Sequence, residues 1–151
     1  MVIVIEGPDG SGKSTLAEFL SSVTGYEVVH RKQPKTQKEK DDMFKMYHEA
    51  LDEGRNVIFD RAWYSEIIYG SIMRDASCIS FDQMKILNCK LAKKGLLIYC
   101  TSDVNTLWRR CQERGEDYIT DKATMIDIHQ SYDALLSAPN FMNLKVLKYE
   151  N

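Results

Sequence analysis

The feature that most limits what this chain can fold into is the turn Gly7-Pro8-Asp9-Gly10-Ser11-Gly12-Lys13-Ser14. It follows a short β-branched run at 2–5 and precedes Leu16, Phe19, Leu20 and Val23, which recur at helical spacing. The turn satisfies G-x-x-x-x-G-K-[ST] in the strand-to-helix context that gives the motif its meaning. Its glycines let backbone amides point inward at phosphate oxygens, and the helix N-terminus adds a favourable dipole. Lys13 then reaches the β- and γ-phosphates, and the Ser14 hydroxyl is offered to Mg²⁺. The expected cradle for a nucleoside triphosphate, ATP with Mg²⁺, is therefore Gly7, Asp9, Gly10, Ser11, Gly12, Lys13, Ser14 and Thr15.

Four further segments, 26–30, 56–60, 96–101 and 144–149, read as strands. Unbroken apolar runs such as 2–5 mark strands buried on both faces, as in a parallel sheet covered by helices. Met43, Met46, Tyr47, Ala50 and Leu51 form a helical stripe closed by Gly54, preceded by a charged stretch at 31–42 read as a surface loop. Ser80 and Gln83 form a capping box for a helix that carries Met84, Leu87 and Leu91 and stops at Gly95. Further helices are expected at 104–113 and 125–136. The alternation of strand and helix predicts an α/β fold of the P-loop NTPase type: a five-stranded parallel sheet with helices on both faces. With 151 residues, 44% of them hydrophobic, the expectation is a single domain over 1–151.

A formal charge of −2 with acids and bases interspersed disfavours a long nucleic-acid groove or a membrane surface. A phosphorylated small molecule must then be held by local cations, and a homodimer is left open. Cys78, Cys89, Cys100 and Cys111 form no C-x-x-C pair and have no histidine at zinc-finger spacing, so they read as free thiols suited to a reducing cytoplasm. No run approaches transmembrane length, and the N-terminus lacks a secretory signal pattern.

The run at 56–59 ends in Asp60-Arg61, placing a carboxylate at the sheet edge where ligands of such folds bind. Asp60 is the candidate second group for Mg²⁺, or a proton acceptor, and Arg61 offers a planar fork suited to phosphate. Trp63, Tyr64 and Tyr69 lie just beyond, where a nucleobase could stack, with half of the cluster expected in the core. Arg31 and Arg74 are candidates to hold an anionic acceptor.

The segment Asp60-Arg61-Ala62-Trp63-Tyr64-Ser65, followed by Tyr69-Gly70, resembles the D-R-x-x-x-S segment of thymidylate kinases and is close to the E-R-S segment of deoxynucleoside kinases. Residues 5–10, Ala50-Leu51 with Gly54, and Arg109 with Arg114-Gly115 add to the resemblance in the same order along the chain. It implies transfer of the γ-phosphoryl of ATP to a deoxynucleoside monophosphate such as dTMP. Arg61 would contact the acceptor phosphate and Asp9 the sugar hydroxyl. Lys13, Asp60 and Arg61 would be joined in catalysis by lid arginines, Arg109 and Arg114 within a lid at about 109–121, with Arg110 on a different helix face from Arg109. Two stretches depart from the family pattern: Arg31-Lys32-Gln33-Pro34 replaces a Glu-Pro-Gly-Gly type loop, and Asp117-Tyr118 replaces an Asp-Arg pair.

Two other readings compete. A deoxynucleoside kinase needs Glu6 or Asp60 to take a proton from a hydroxyl, and an acceptor-independent NTPase releases ADP without any acceptor.

Overall fold

The computed structural model describes residues 1–116, 118–137 and 143–151. Its strands are β1 (Val2–Glu6), β2 (Glu27–His30), β3 (Val57–Asp60), β4 (Gly95–Thr101) and β5 (Val146–Glu150). Its helices are α1 (Lys13–Thr24), α2 (Gln37–Asp52), α3 (Trp63–Met73), α4 (Phe81–Lys94), α5 (Val104–Glu113) and α6 (Lys122–Ser137). The strands pair in parallel in the order β2-β3-β1-β4-β5. This is the expected P-loop NTPase architecture, and β1, buried at every residue, lies at its centre.

The pleat divides the core into two unequal layers. On one face Val2, Val4, Val57, Phe59, Leu97 and Tyr99 join a large cluster with residues of α2 to α6. On the other, Ile3, Ile5, Ile58, Ile98 and Cys100 pack with Leu16, Ala17 and Leu20, all from α1. Among the described residues, α1 is the only helix in that smaller layer.

Register sets the functional edge. Ile5 and His30 both stand opposite Asp60, so the ends of β1, β2 and β3 deliver the glycine-rich turn, His30-Arg31 and Asp60-Arg61 to one rim. Arg61 then adopts a left-handed φ of 70°, rare for a side chain with a Cβ, and its amide donates to the Ile5 carbonyl at 2.9 Å. That reversal starts α3 directly after the strand.

Two expectations are corrected and one is sharpened. The stretch 31–42 is loop only as far as Thr36, because Thr36 and Glu39 form a reciprocal capping box that starts α2 at Gln37. Its charges are largely the solvent face of a helix. Helix α4 does stop at Gly95, whose extended backbone begins β4 directly; a Cβ there would lie 2.2 Å from the Val2 carbonyl oxygen, so close strand approach requires the glycine. The last strand begins at Val146 rather than 144, with Leu144 buried just before it.

Candidate active site

The glycine-rich turn wraps the N-terminus of α1. Gly12, at φ 86°, caps the helix without a side-chain hydrogen bond, which leaves the first amides of α1 facing the hollow of the turn. Gly7 is required by proximity: a Cβ there would lie 2.0 Å from the Cys100 carbonyl oxygen. The Lys13 ammonium folds back across the turn and donates to the Pro8 carbonyl at 2.6 Å. Burial, reinforced by the Arg61 guanidinium, pushes the Lys13 pKa down to about 8 against the opposing pull of Asp9 and Asp60. Thr15 lies exposed on the first turn of α1.

Asp60, almost fully buried, faces this turn across the sheet edge. Its Oδ2 accepts the Ser14 hydroxyl at 2.6 Å and lies 2.9 Å from His30 Nδ1. Its Oδ1 is buried with no hydrogen-bond partner. A buried carboxylate oxygen left open beside a hydroxyl is a hard-oxygen donor pair, suited to a cation that brings phosphate and water as its remaining ligands. No cluster of three or more His, Cys, Asp or Glu among the described residues could hold a metal on its own.

Next to it opens a cavity of about 250 Å³ whose lining includes Asp9, Arg31, Arg61, Tyr69 and Arg74, five of the residues expected to bind substrate. Gln33, Ser65 and Tyr118 complete the lining. Asp9 is held from both sides: Arg61 pairs with Oδ1, and the Tyr69 hydroxyl donates to Oδ2 at 2.6 Å. Burial alone would raise the Asp9 carboxyl, but Arg61, Lys13, the Tyr69 hydroxyl and Arg114 together hold it below its ordinary value. The Arg61 guanidinium also sits 5.0 Å from the centre of the Tyr69 ring and donates to the Gly7 carbonyl at 3.3 Å.

Arg31 and Arg74 converge on Glu66, whose side chain is fully buried. The Cys78 amide donates to its other oxygen at 2.9 Å. Burial raises the Glu66 carboxyl, but the Cys78 amide and the two arginines outweigh it, and the pKa falls below the usual range. Neither His30, Gln33 nor Glu66 has a motif to single it out. A readable signal for Glu66 does exist in its setting, since a lone carboxylate within Trp-Tyr-Ser-Glu-Ile-Ile-Tyr must be paired if the helix is buried.

Other expected residues lie elsewhere. Trp63 is fully buried, its ring edge-on to Tyr47 and its Nε1 donating to Asn88 Oδ1 at 2.9 Å. Asn88 in turn donates to the Tyr64 hydroxyl at 2.8 Å. Both aromatics therefore belong to the core between α3 and α4 and offer no ring face for a base. Arg109 points into solvent and pairs with Glu113 at 3.5 Å. The reason is helical geometry: at about 100° per residue, Arg109 lies opposite the buried stripe of Leu107 and Cys111, whereas Arg110 borders it. Arg110 is the arginine that reaches the turn, donating to the Gly10 carbonyl at 3.0 Å and to the Asn151 carbonyl at 3.2 Å. Arg114 ends α5, pairs with Glu116 at 3.2 Å, and is felt at Asp9 only as a weak charge. Of the expected lid pair Asp117-Tyr118, Asp117 lies outside the described residues, and Tyr118 stacks on Tyr69 with ring centres 6.3 Å apart.

Glu6, a candidate base from sequence, is fully enclosed. Its Oε1 accepts the amides of Ala62, Tyr64 and Ser65 at 2.9–3.1 Å, and its Oε2 accepts the Ser65 hydroxyl at 2.5 Å. The Tyr132 hydroxyl bonds Ser65 Oγ at 2.7 Å and closes the group. Glu6 is thus the anionic cap of α3.

Comparison with known proteins agrees with this geometry. The thymidylate kinase family model matches residues 36–149, more than half of the chain and beyond the phosphate-binding turn. The SPbeta prophage-derived protein YorR of Bacillus subtilis (strain 168) is 30% identical over 122 residues, covering 80% of this chain and 73% of that protein. The crystal structure of YorR in complex with phosphorylated GDP superposes with a TM-score of 0.81 at 26% identity, over 99% of this chain and 85% of that one. Deoxyadenosine kinase from M. mycoides with bound dCTP shares the fold, with a TM-score of 0.63 at 22% identity over 99% of this chain and 90% of that one. No helix among the described residues is long and apolar enough to cross a membrane. A phosphate-binding turn, an acidic strand end and an arginine-lined cavity on one sheet edge, together with these relationships, make the chain a nucleotide kinase that belongs to the thymidylate kinase family.

Proposed function

We propose that the chain transfers the γ-phosphoryl group of ATP, bound with Mg²⁺, to a deoxynucleoside monophosphate in the cavity between Asp9, Arg31, Arg61 and Arg74. One observation carries the choice of a monophosphate. The cavity presents three guanidiniums against two carboxylates, and both of these are engaged, Asp9 by Arg61 and Tyr69, Glu66 by Arg31, Arg74 and the Cys78 amide. A surplus of positive charge thus faces the cavity, and the open carboxylate oxygen of Asp60 is kept for the magnesium site. An ionised acceptor phosphate needs cations and no strong base, whereas a nucleoside hydroxyl needs a carboxylate free to take its proton.

Roles follow for the chain's own groups. The amides of the turn and Lys13 hold the triphosphate, and Ser14 with Asp60 Oδ1 would hold Mg²⁺. Held there, the ion would supply positive charge to offset the negative charge that builds on the phosphates during transfer. Arg61, which bonds the Gly7 carbonyl of the turn and lines the cavity, would bridge donor and acceptor phosphates. Asp9 and Tyr69 present a carboxylate oxygen and a hydroxyl to the acceptor sugar. Arg110, bonded to the turn, and Arg114 are the cations available from the lid side.

The test is ADP formation from ATP with a panel of deoxynucleosides and their 5′-monophosphates. Because YorR was solved with phosphorylated GDP, the panel includes guanine as well as thymine acceptors. Turnover with monophosphates and none with nucleosides is expected. Turnover with nucleosides alone, or ADP release that ignores the acceptor, refutes the proposal.

A further inference from the structure

Parallel pairing places His30, the last residue of β2, directly opposite Asp60, the last residue of β3. Its Nδ1 lies 2.9 Å from Asp60 Oδ2, the oxygen that also accepts the Ser14 hydroxyl at 2.6 Å. The remaining oxygen, Oδ1, is buried and unpartnered. The two oxygens of one carboxylate are thereby made unequal, one saturated and one left open. Packing does not account for the histidine, since its side chain is 53% exposed.

A carboxylate at a strand end turns about χ2 in a broad, two-fold well, so a single hydroxyl that itself rotates fixes its plane poorly. A second donor from a neighbouring strand changes this. The ring is anchored through the backbone of β2, its Nδ1 reaches Oδ2 from that neighbouring strand while the Ser14 hydroxyl reaches the same oxygen from α1, and the two donors hold Oδ2 together. With Asp60 as acceptor, the ring hydrogen belongs on Nδ1.

We propose that His30 is a positioning residue: its Nδ1–H holds Asp60 in the orientation that turns Oδ1 toward the Mg²⁺-triphosphate while Oδ2 receives the Ser14 hydroxyl. The inference rests on the reading of Ser14 and Asp60 as the magnesium site given above. It assigns His30 no contact with substrate. Partners behind a metal ligand commonly change metal affinity by about 10–100-fold, and the exposure of His30 places it at or below the lower end of that range.

The experiment measures ATP binding by calorimetry with saturating Mg²⁺ and again with EDTA, taking the ratio of the two affinities as the metal-dependent gain. His30→Ala is expected to cut that gain about fivefold to tenfold while leaving the metal-free affinity and the melting temperature unchanged. His30→Asn, whose side-chain N–H can occupy the place of Nδ1, is expected to restore most of it. Asp60→Asn is the control and should abolish the gain. If Asp60→Asn keeps the gain, the magnesium-site reading fails and the role of His30 falls with it. If Asp60→Asn loses the gain but His30→Ala keeps it, only the role of His30 is overturned. Equal weakening by His30→Ala with and without metal also overturns it, because the histidine then supports the strand rather than the carboxylate.

Discussion

Replacing Glu6 separates two readings of the same carboxylate, a base for a nucleoside hydroxyl and a cap for α3. In Glu6→Gln the amide oxygen can take the place of Oε1 and keep the three amides of Ala62, Tyr64 and Ser65. Its NH₂ then meets the hydroxyls of Ser65 and Tyr132, both able to rotate and accept. What is lost is the charge at the helix N-terminus, about 1–2 kcal/mol in a buried setting. Weakening charge-assisted bonds to neutral ones adds about 1 kcal/mol. Together these predict a loss of about 2–3 kcal/mol, roughly 5–10 °C in melting temperature for a chain of this size. Glu6→Ala orphans three amides at about 1–1.5 kcal/mol each and opens a void, so a loss of about 4–5 kcal/mol is expected. Urea unfolding gives the stabilities, and turnover of the folded Gln variant at saturating substrates gives the activity. The cap predicts a destabilised enzyme that retains most of its kcat. A Gln variant of unchanged stability whose kcat drops more than about a hundredfold would refute the reasoning, because that is the signature of a lost base.

Lys13→Ala and Asp60→Ala should each lower turnover at least about a hundredfold with the fold intact by circular dichroism, as when an electrostatic partner of the transition state is removed. Arg61→Ala should penalise monophosphate acceptors far more than nucleosides in the same coupled assay; a proportionate loss would remove the acceptor-phosphate contact. With Lys13 at a pKa of about 8 in the free protein, the ammonium that a triphosphate requires is about nine-tenths present at pH 7 and about one-tenth present at pH 9. Binding above pH 8 must therefore take up a proton, and ATP affinity should weaken about tenfold from pH 7 to pH 9, a dependence that Lys13→Arg should flatten.

The sheet was legible because its inner strands β1, β3 and β4 carry uninterrupted apolar runs, and the turn at 7–14 names its own chemistry. Short-range codes also read well: the Ser80–Gln83 capping box lies where the spacing puts it. The Thr36–Glu39 box has the same form, but lysines and aspartates surround it and helical periodicity becomes visible only from Met43. In the site, sequence supplied residues that line the cavity, Asp9, Arg61 and Tyr69, and grouped with them the neighbours Trp63 and Tyr64, which the structure buries in the core. Those two precede Tyr69 on one helix, and only the direction in which α3 leaves β3, set by the reversal at Arg61, decides which aromatic faces the cavity. The arginines of α5 show the same limit. Arg109 and Arg110 are equivalent in composition, and the buried stripe through Leu107 and Cys111 tells them apart. His30 had no signal at all, because its role arises from a register between strands thirty residues apart.

The thin layer of the core has a thermodynamic meaning. It has α1 for its helix, with Phe19 and Val23 of that helix facing solvent, and α1 begins inside the phosphate-binding turn. Ligand grip and core cohesion thus reside in one rigid rod. A triphosphate at a hundred times its Kd adds about 2.7 kcal/mol to the folded state, and the element it grips is the one that closes the smaller layer. Local opening of this face is therefore expected to answer to occupancy, with bound nucleotide slowing proteolysis of the chain as well as feeding its chemistry.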